Sequence, residues 1–243
     1  MVDDGLLNQL KRVLRLKIGH EVTVFSGNGQ DHECFIKGFE KDKVILEIKK
    51  SYSSRFMPAR EIWLCASIIK KDNFEWIVEK ATELGVSHIV PILSDRSEKK
   101  SLNMERLEKI IVEASEQSGR GDIPRIHPIV KLEESIEYIR SQIKKDPRIK
   151  NQDTSKSEIP NLSSILIEDS NVQMMAFHTE GESVQDDISY KDESIAFFIG
   201  PEGGWSEREV ELFHKEDVPV KSLGKQVLRA ETAAVAALAR IVF

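Results

Sequence analysis

The residues best placed for chemistry sit in two glycine-bearing junctions. The first is Ile199-Gly-Pro-Glu-Gly-Gly-Trp-Ser206; the second is Leu223-Gly-Lys-Gln-Val-Leu-Arg-Ala-Glu-Thr232. Three glycines and a proline within Gly200–Gly204 predict a sharp turn whose backbone can approach a ligand closely. Backbone N–H and C=O groups at adjacent strand ends suit a ligand read through adenine edges and a hydroxylated ribose. The first loop carries no lysine, which argues against a phosphate cradle. Other chemistries lack their residues. His20, His32, His88, His127, His178 and His214 show no close pairing, and Cys34 and Cys65 stand apart, so no metal site is expected. Neither a Gly-x₄-Gly-Lys-Ser/Thr loop nor a Gly-x-Ser-x-Gly elbow occurs.

The elements that must hold these junctions are legible around them. Ile195–Ile199 reads as a buried parallel strand. Ser206 and Glu209 have capping-box spacing, and Trp205 and Val210 flank them at staple positions. A second strand, Val218–Leu223, leads into the other loop and an Ala-rich helix. A strand ending in a glycine loop at a helix start is where open α/β sheets bind ligands. Upstream the chain alternates helix and strand. Phe74, Ile77, Val78, Ala81 and Leu84 have helical spacing, with Asp72 and Glu75 as a capping box and Gly85 as the stop. His88–Leu93 is a strand, Asn103 caps a helix carrying Leu107, Ile110, Ile111 and Ala114, and Arg125–Val130 is a strand. Leu132, Ile136, Ile139 and Ile143 mark another helix; residues 144–157 read as a polar loop, 162–167 as a short helix, and Gln173–His178 as a strand. Residues 72–243 therefore predict an α/β domain with a mostly parallel sheet covered on both faces.

Residues 1–71 have a different pattern. A short helix is expected over 6–16, then strands Glu21–Ser26, Glu33–Phe39 and Lys43–Ile48, with hairpin turns at Gly27-Asn-Gly29 and Lys41-Asp42 and a further apolar run at Ile62–Ile69. This predicts a small β-barrel or meander. The net charge is −6, but residues 1–71 hold 13 Lys/Arg against 9 Asp/Glu. The remainder holds 22 against 32, so the functional reading is a small basic recognition module on an acidic body. Two isolated cysteines point to a reduced, cytoplasmic setting. No apolar run reaches the ~20 residues a membrane span needs.

Taken together, the two junctions resemble the signature pair of the bacterial 16S ribosomal RNA uracil-N3-methyltransferases, in the SPOUT (α/β-knot) superfamily. Lys80-Ala-Thr-Glu-Leu-Gly-Val86, Pro91-Ile-Leu-Ser-Asp-Arg-Ser97, Glu113-Ala-Ser-Glu-Gln-Ser-Gly-Arg120 and Val13-Leu-Arg-Leu-Lys-Ile-Gly19 agree in the expected order. The resemblance covers nearly the whole chain. It implies a PUA-like N-terminal barrel and a C-terminal SPOUT domain with a deep trefoil knot. It implies S-adenosyl-L-methionine bound in that knot, a homodimer through the knot region, and methyl transfer to N3 of a uracil in 16S ribosomal RNA or the assembled small subunit. No metal or membrane enters this chemistry.

Carried onto these positions, the resemblance assigns the cofactor to Ile199, Gly200, Gly203, Leu223, Gly224, Leu228 and Thr232. Arg229 is expected to stabilise negative charge on the base oxygens, with Arg120 as a second catalytic arginine. Arg12, Arg15 and Arg96 are the expected RNA contacts. Glu202 reads as a loop anchor in preference to a base. Family members usually begin with an Arg-Phe-Phe-like strand and carry a His pair where Asn8-Gln9 stands, so the first barrel strand is expected to be missing. Two rivals stay open: a SPOUT enzyme methylating a tRNA ribose 2′-hydroxyl, and a non-catalytic RNA-binding ribosome-assembly factor.

Overall fold

The structure is a computed structural model describing residues 7, 9–41, 43–97, 101–145, 172–183 and 194–242. The chain forms two compact units. The smaller comprises the described residues up to Met57 together with Ser118–Ile123. The larger comprises Pro58–Gln117 and the described residues from Pro124 onward.

In the smaller unit, β1 (Glu21–Phe25), β2 (Gln30–Phe39) and β3 (Val44–Ser53) form an antiparallel sheet in that order. Gly27 and Gly29 both adopt positive φ at the first turn, the conformation glycine takes without strain. Leu10, Ile36 and Val44 make its small core. The helix expected over 6–16 appears as a π-helical turn, Gln9–Val13. Segment 118–123 belongs to this unit through local bonds: Gly29 N–H donates to Gly121 O (3.0 Å), and Asn28 pairs with Asp122.

The larger unit is a parallel sheet in the order β10-β8-β9-β4-β5-β6, with β7 also on β5. Its strands are β4 (Glu61–Ser67), β5 (His88–Leu93), β6 (Arg125–Ile126), β7 (Val130–Lys131), β8 (Val172–Ser183), β9 (Ser194–Ile199) and β10 (Val220–Ser222). Helices α1 (Lys71–Glu83), α2 (Met104–Ser118), α3 (Leu132–Lys145), α4 (Glu207–Lys215) and α5 (Ala230–Val242) cover it. Alternate side chains enter two cores. Leu64, Phe197 and Ile199 pack with α1, α2 and α5, whereas Trp63, Cys65 and Phe198 pack with α3 and α4. Burial on both faces is why these strands are continuous apolar runs.

Two expectations change. The division falls at Met57, not at residue 71. β4 pairs with β5 on one side and β9 on the other, so Ile62–Ile69 belongs to the parallel sheet rather than to the barrel. Helix α1 is capped at Lys70 without a side-chain bond; Asp72 lies inside its first turn, where a carboxylate favours the helix dipole without acting as cap. The expected 162–167 helix and most of the 144–157 loop lie outside the described residues.

Candidate functional site

The middle of β8 and the C-terminal ends of β9 and β10 frame a cavity of about 280 Å³. Its walls come from three segments: Phe177–Thr179 in the middle of β8, Ile199–Gly204 at and after the end of β9, and Ser222–Gly224 with Gln226–Leu228 at and after the end of β10, together with Ala230 and Ala233 of α5. The two glycine loops are thus brought together, as ligand sites at the crevice of open α/β sheets require. Ile199, Gly200, Gly203, Leu223, Gly224 and Leu228 all line it. Thr232 does not; it is exposed one turn into α5. Arg229 is exposed at the foot of the same helix, beside the lining residues Leu228 and Ala230.

Local chemistry explains the first loop. Ser206 Oγ accepts from the Glu209 N–H (3.3 Å), and Glu209 Oε2 accepts from the Ser206 N–H (2.8 Å), completing the capping box that starts α4. Gly204 has φ +67 and its N–H donates to Pro201 O (2.8 Å), closing the turn. The Trp205 ring lies under Gly200, where a Cβ would come within 3.2 Å of it. Its Nε1–H donates to Phe177 O (3.0 Å), fixing the first loop to the middle of β8.

A bulge supplies the third wall. β10 follows β8 at Val220↔Ala176, then at Lys221↔Glu182, so the residues between leave the ladder. His178 and Thr179 lie in this excursion and reach the cavity. The Glu180 N–H donates to His178 Nδ1 (3.2 Å), which leaves Nε2 as the hydrogen-bearing nitrogen of the neutral ring. Gly181 permits the return, since a Cβ there would meet the Lys221 backbone at 2.4 Å. Sequence reasoning missed His178. The signal was its place at the end of a predicted strand beside the switch in strand order.

Among the described residues, Glu202 is the only Asp, Glu, Lys or Arg in the lining. A cavity with one carboxylate, no lysine or arginine, and exposed backbone polar groups suits a phosphate-free nucleoside bearing positive charge. Glu202 itself is exposed, and among the described residues no hydrogen bond or ion pair ties it to the loop.

The remaining arginines fall elsewhere. Arg120 lies in the smaller unit, 5% exposed, with Nε on Asp122 Oδ1 (2.9 Å) and Nη2 on Oδ2 (2.8 Å). Its guanidinium grips the neighbouring Asp122 carboxylate bidentately. Arg12 and Arg15 are exposed in the smaller unit. Arg96 lies in the turn after β5 and donates to the carbonyls of the first glycine loop. Among the described residues, no cluster of three or more His, Cys, Asp or Glu could hold a metal, and no helix is long and apolar enough to cross a membrane.

A cavity at parallel strand ends, in a chain that also carries a small antiparallel sheet, is the arrangement of a ligand-binding α/β protein. Residues 57–242 match the RNA methyltransferase domain family and residues 8–49 the RNA methyltransferase PUA domain. The chain belongs to this RNA methyltransferase family. It is 29% identical to the ribosomal RNA small subunit methyltransferase E of Bacillus subtilis, over 97% of this chain and 86% of that protein. For the enzyme of the same name from Rickettsia conorii the values are 26%, 99% and 88%. The crystal structure of that enzyme from Neisseria gonorrhoeae, bound to S-adenosyl methionine, superposes with a TM-score of 0.79 at 27% identity, covering 99% of this chain and 89% of that one.

Proposed function

We propose that this protein transfers a methyl group from S-adenosyl-L-methionine to N3 of a uracil in 16S ribosomal RNA, acting in the cytoplasm as a homodimer. The observation that carries the cofactor is the cavity between the two glycine loops, in which the carboxylate Glu202 is the single Asp, Glu, Lys or Arg among the described lining residues. The named relatives, all methyltransferases of small-subunit ribosomal RNA, support the substrate.

When bound, the cofactor supplies a methyl group already activated on a sulfonium. The protein's work is selection and alignment. Backbone groups of Gly200–Gly204 and Ser222–Gly224 hold the nucleoside, and Leu223, Leu228 and Ala233 exclude water around it. Glu202 complements the positive charge. N3 of uracil carries a proton and is weakly nucleophilic until it leaves. Arg229, exposed at the rim, stabilises the negative charge that then spreads to the base oxygens. Arg12 and Arg15 contact the RNA backbone. Val227, 83% exposed, and the adjoining start of α5 form the dimer contact in the knot region.

The test is methylation of small subunits from a strain lacking its own enzyme, with mass mapping of the product. N3-methyluridine is expected. A methyl group on a ribose 2′-oxygen would replace the acceptor, and no transfer together with no cofactor binding by calorimetry at millimolar concentration would end the reading.

A further inference from the structure

The first glycine loop is held from outside by one turn of chain. That turn, Ser94–Ser97, follows β5 and is closed on itself by the Ser94 N–H donating to Ser97 Oγ (3.0 Å). Two consecutive residues project from it. Arg96 Nη1 donates to Gly203 O (2.5 Å) and to Trp205 O (3.3 Å). Asp95 Oδ2 accepts from Ser206 Oγ (2.6 Å), and the Asp95 N–H donates to Glu209 Oε1 (2.8 Å). The turn therefore grips both sides of Trp205: Arg96 takes the loop carbonyls, and Asp95 takes the start of α4.

The fit reaches the side-chain stem. A Cβ on Gly203 would lie 3.2 Å from Arg96 Cδ, so the absence of a side chain at Gly203 is what lets the arginine lie along the loop. The Asp95 carboxyl is held below the usual carboxylate range, first by the Arg208 bond and then by the Ser206 bond. A loop of three glycines has many conformations when free, and each ligand-binding event must then restrict it. A guanidinium bridging two of its carbonyls removes that freedom beforehand. It also commits those carbonyls to the arginine.

We propose that Arg96 is a positioning residue for cofactor binding, holding Gly203–Trp205 in its ligand-ready form, and not an RNA contact. The inference rests on the reading of the cavity as an S-adenosyl-L-methionine site.

The experiment compares wild type, Arg96→Met and Arg96→Lys by calorimetry with the cofactor, by steady-state methylation, by affinity for a small-subunit RNA fragment, and by thermal unfolding. Methionine keeps the stem and removes the donors. Arg96→Met is expected to raise the cofactor dissociation constant and KM about tenfold, the size of a lost charge-assisted bond. Its kcat should change by less than about threefold, its RNA affinity by less than about twofold and its Tm little, since a loop anchor acts on ground-state binding. Lysine, with a single point donor, should recover part of the loss. Unchanged cofactor affinity with weakened RNA binding would overturn the proposal and restore Arg96 to the RNA. So would a loss spread equally over all measures with a falling Tm. If wild type binds cofactor and Arg96→Met binds it equally well, only this inference fails; if wild type does not bind, the cavity reading fails with it.

Discussion

His88 Nδ1 lies 3.0 Å from His127 Nε2 in the core of the larger unit, and both rings are 3% exposed. His127 Nδ1 meets the Tyr138 hydroxyl at 2.9 Å, and His88 stacks on Trp63 at 3.7 Å between centroids. With His127 neutral, the Tyr138 hydroxyl can donate to its Nδ1 while its Nε2–H donates to His88 Nδ1. Burial, then the charges of His88 and Arg125, pushes the His127 pKa down from 6.5 to about 3.

A folded-state value below the unfolded one has a definite sign. The unfolded chain takes up the proton first, so the stability that depends on neutral His127 is complete above pH 6.5 and is lost as pH falls toward 3. Between pH 7 and 5 this amounts to about 2 kcal/mol, from roughly 1.4 kcal/mol per unit of pH below 6.5. Urea unfolding of wild type and His127→Gln at both pH values checks it. The variant should be weaker at pH 7 and show a flatter pH dependence. Equal slopes in the two proteins would place the acid sensitivity elsewhere.

The return of segment 118–123 to the smaller unit is equally testable. Gly121 N–H donates to Phe56 O (3.3 Å), and a Cβ on Gly121 would lie only 2.1 Å from Ser54 Cβ. The obstruction is a Cβ next to the main chain, so neither side can swing away. Gly121→Ala should therefore cost about 1–3 kcal/mol, the range for overpacking. It should also open 118–123 to limited proteolysis, and adding Ser54→Gly should restore most of the loss. Additive effects in the double variant would mean the two residues do not meet.

How much of this was legible depended on range. The strands at Ile195–Ile199 and His88–Leu93, the Ser206–Glu209 box and the Asn103 start of α2 are local patterns, and the Arg106 N–H does donate to Asn103 Oδ1 (3.2 Å). The meeting of the two glycine loops was inferable because each ends a strand of one sheet. β4 was misplaced because an apolar run looks the same at the end of a barrel or between two parallel neighbours. The partners of Arg120 and Arg96 were illegible for a related reason. A lone arginine beside a glycine carries no mark of its partner, and the carboxylate of Asp122 and the carbonyls of Gly203 and Trp205 became its partners only through folding. His178 reaches the cavity through a register shift between β8 and β10 that no periodicity encodes.

The contact between Gly200 and Trp205 gives the sharpest test of the cavity. Three atoms of the indole ring would lie 3.2–3.3 Å from a Cβ at Gly200, closer than ordinary packing. The ring cannot retreat freely: it is 3% exposed, packs edge-on against Phe213 at 5.1 Å, and its Nε1–H is held by Phe177 O. An alanine methyl at position 200 must therefore be absorbed by the glycine loop, which moves toward the cavity. Gly200→Ala should weaken S-adenosyl-L-methionine binding by about tenfold or more, while the overpacking cost to the fold stays within roughly 1–3 kcal/mol. Calorimetry measures the first and denaturant unfolding the second. Trp205 fluorescence should shift in the variant without ligand. Full cofactor affinity in a folded Gly200→Ala protein would show that the ligand does not lie against this loop.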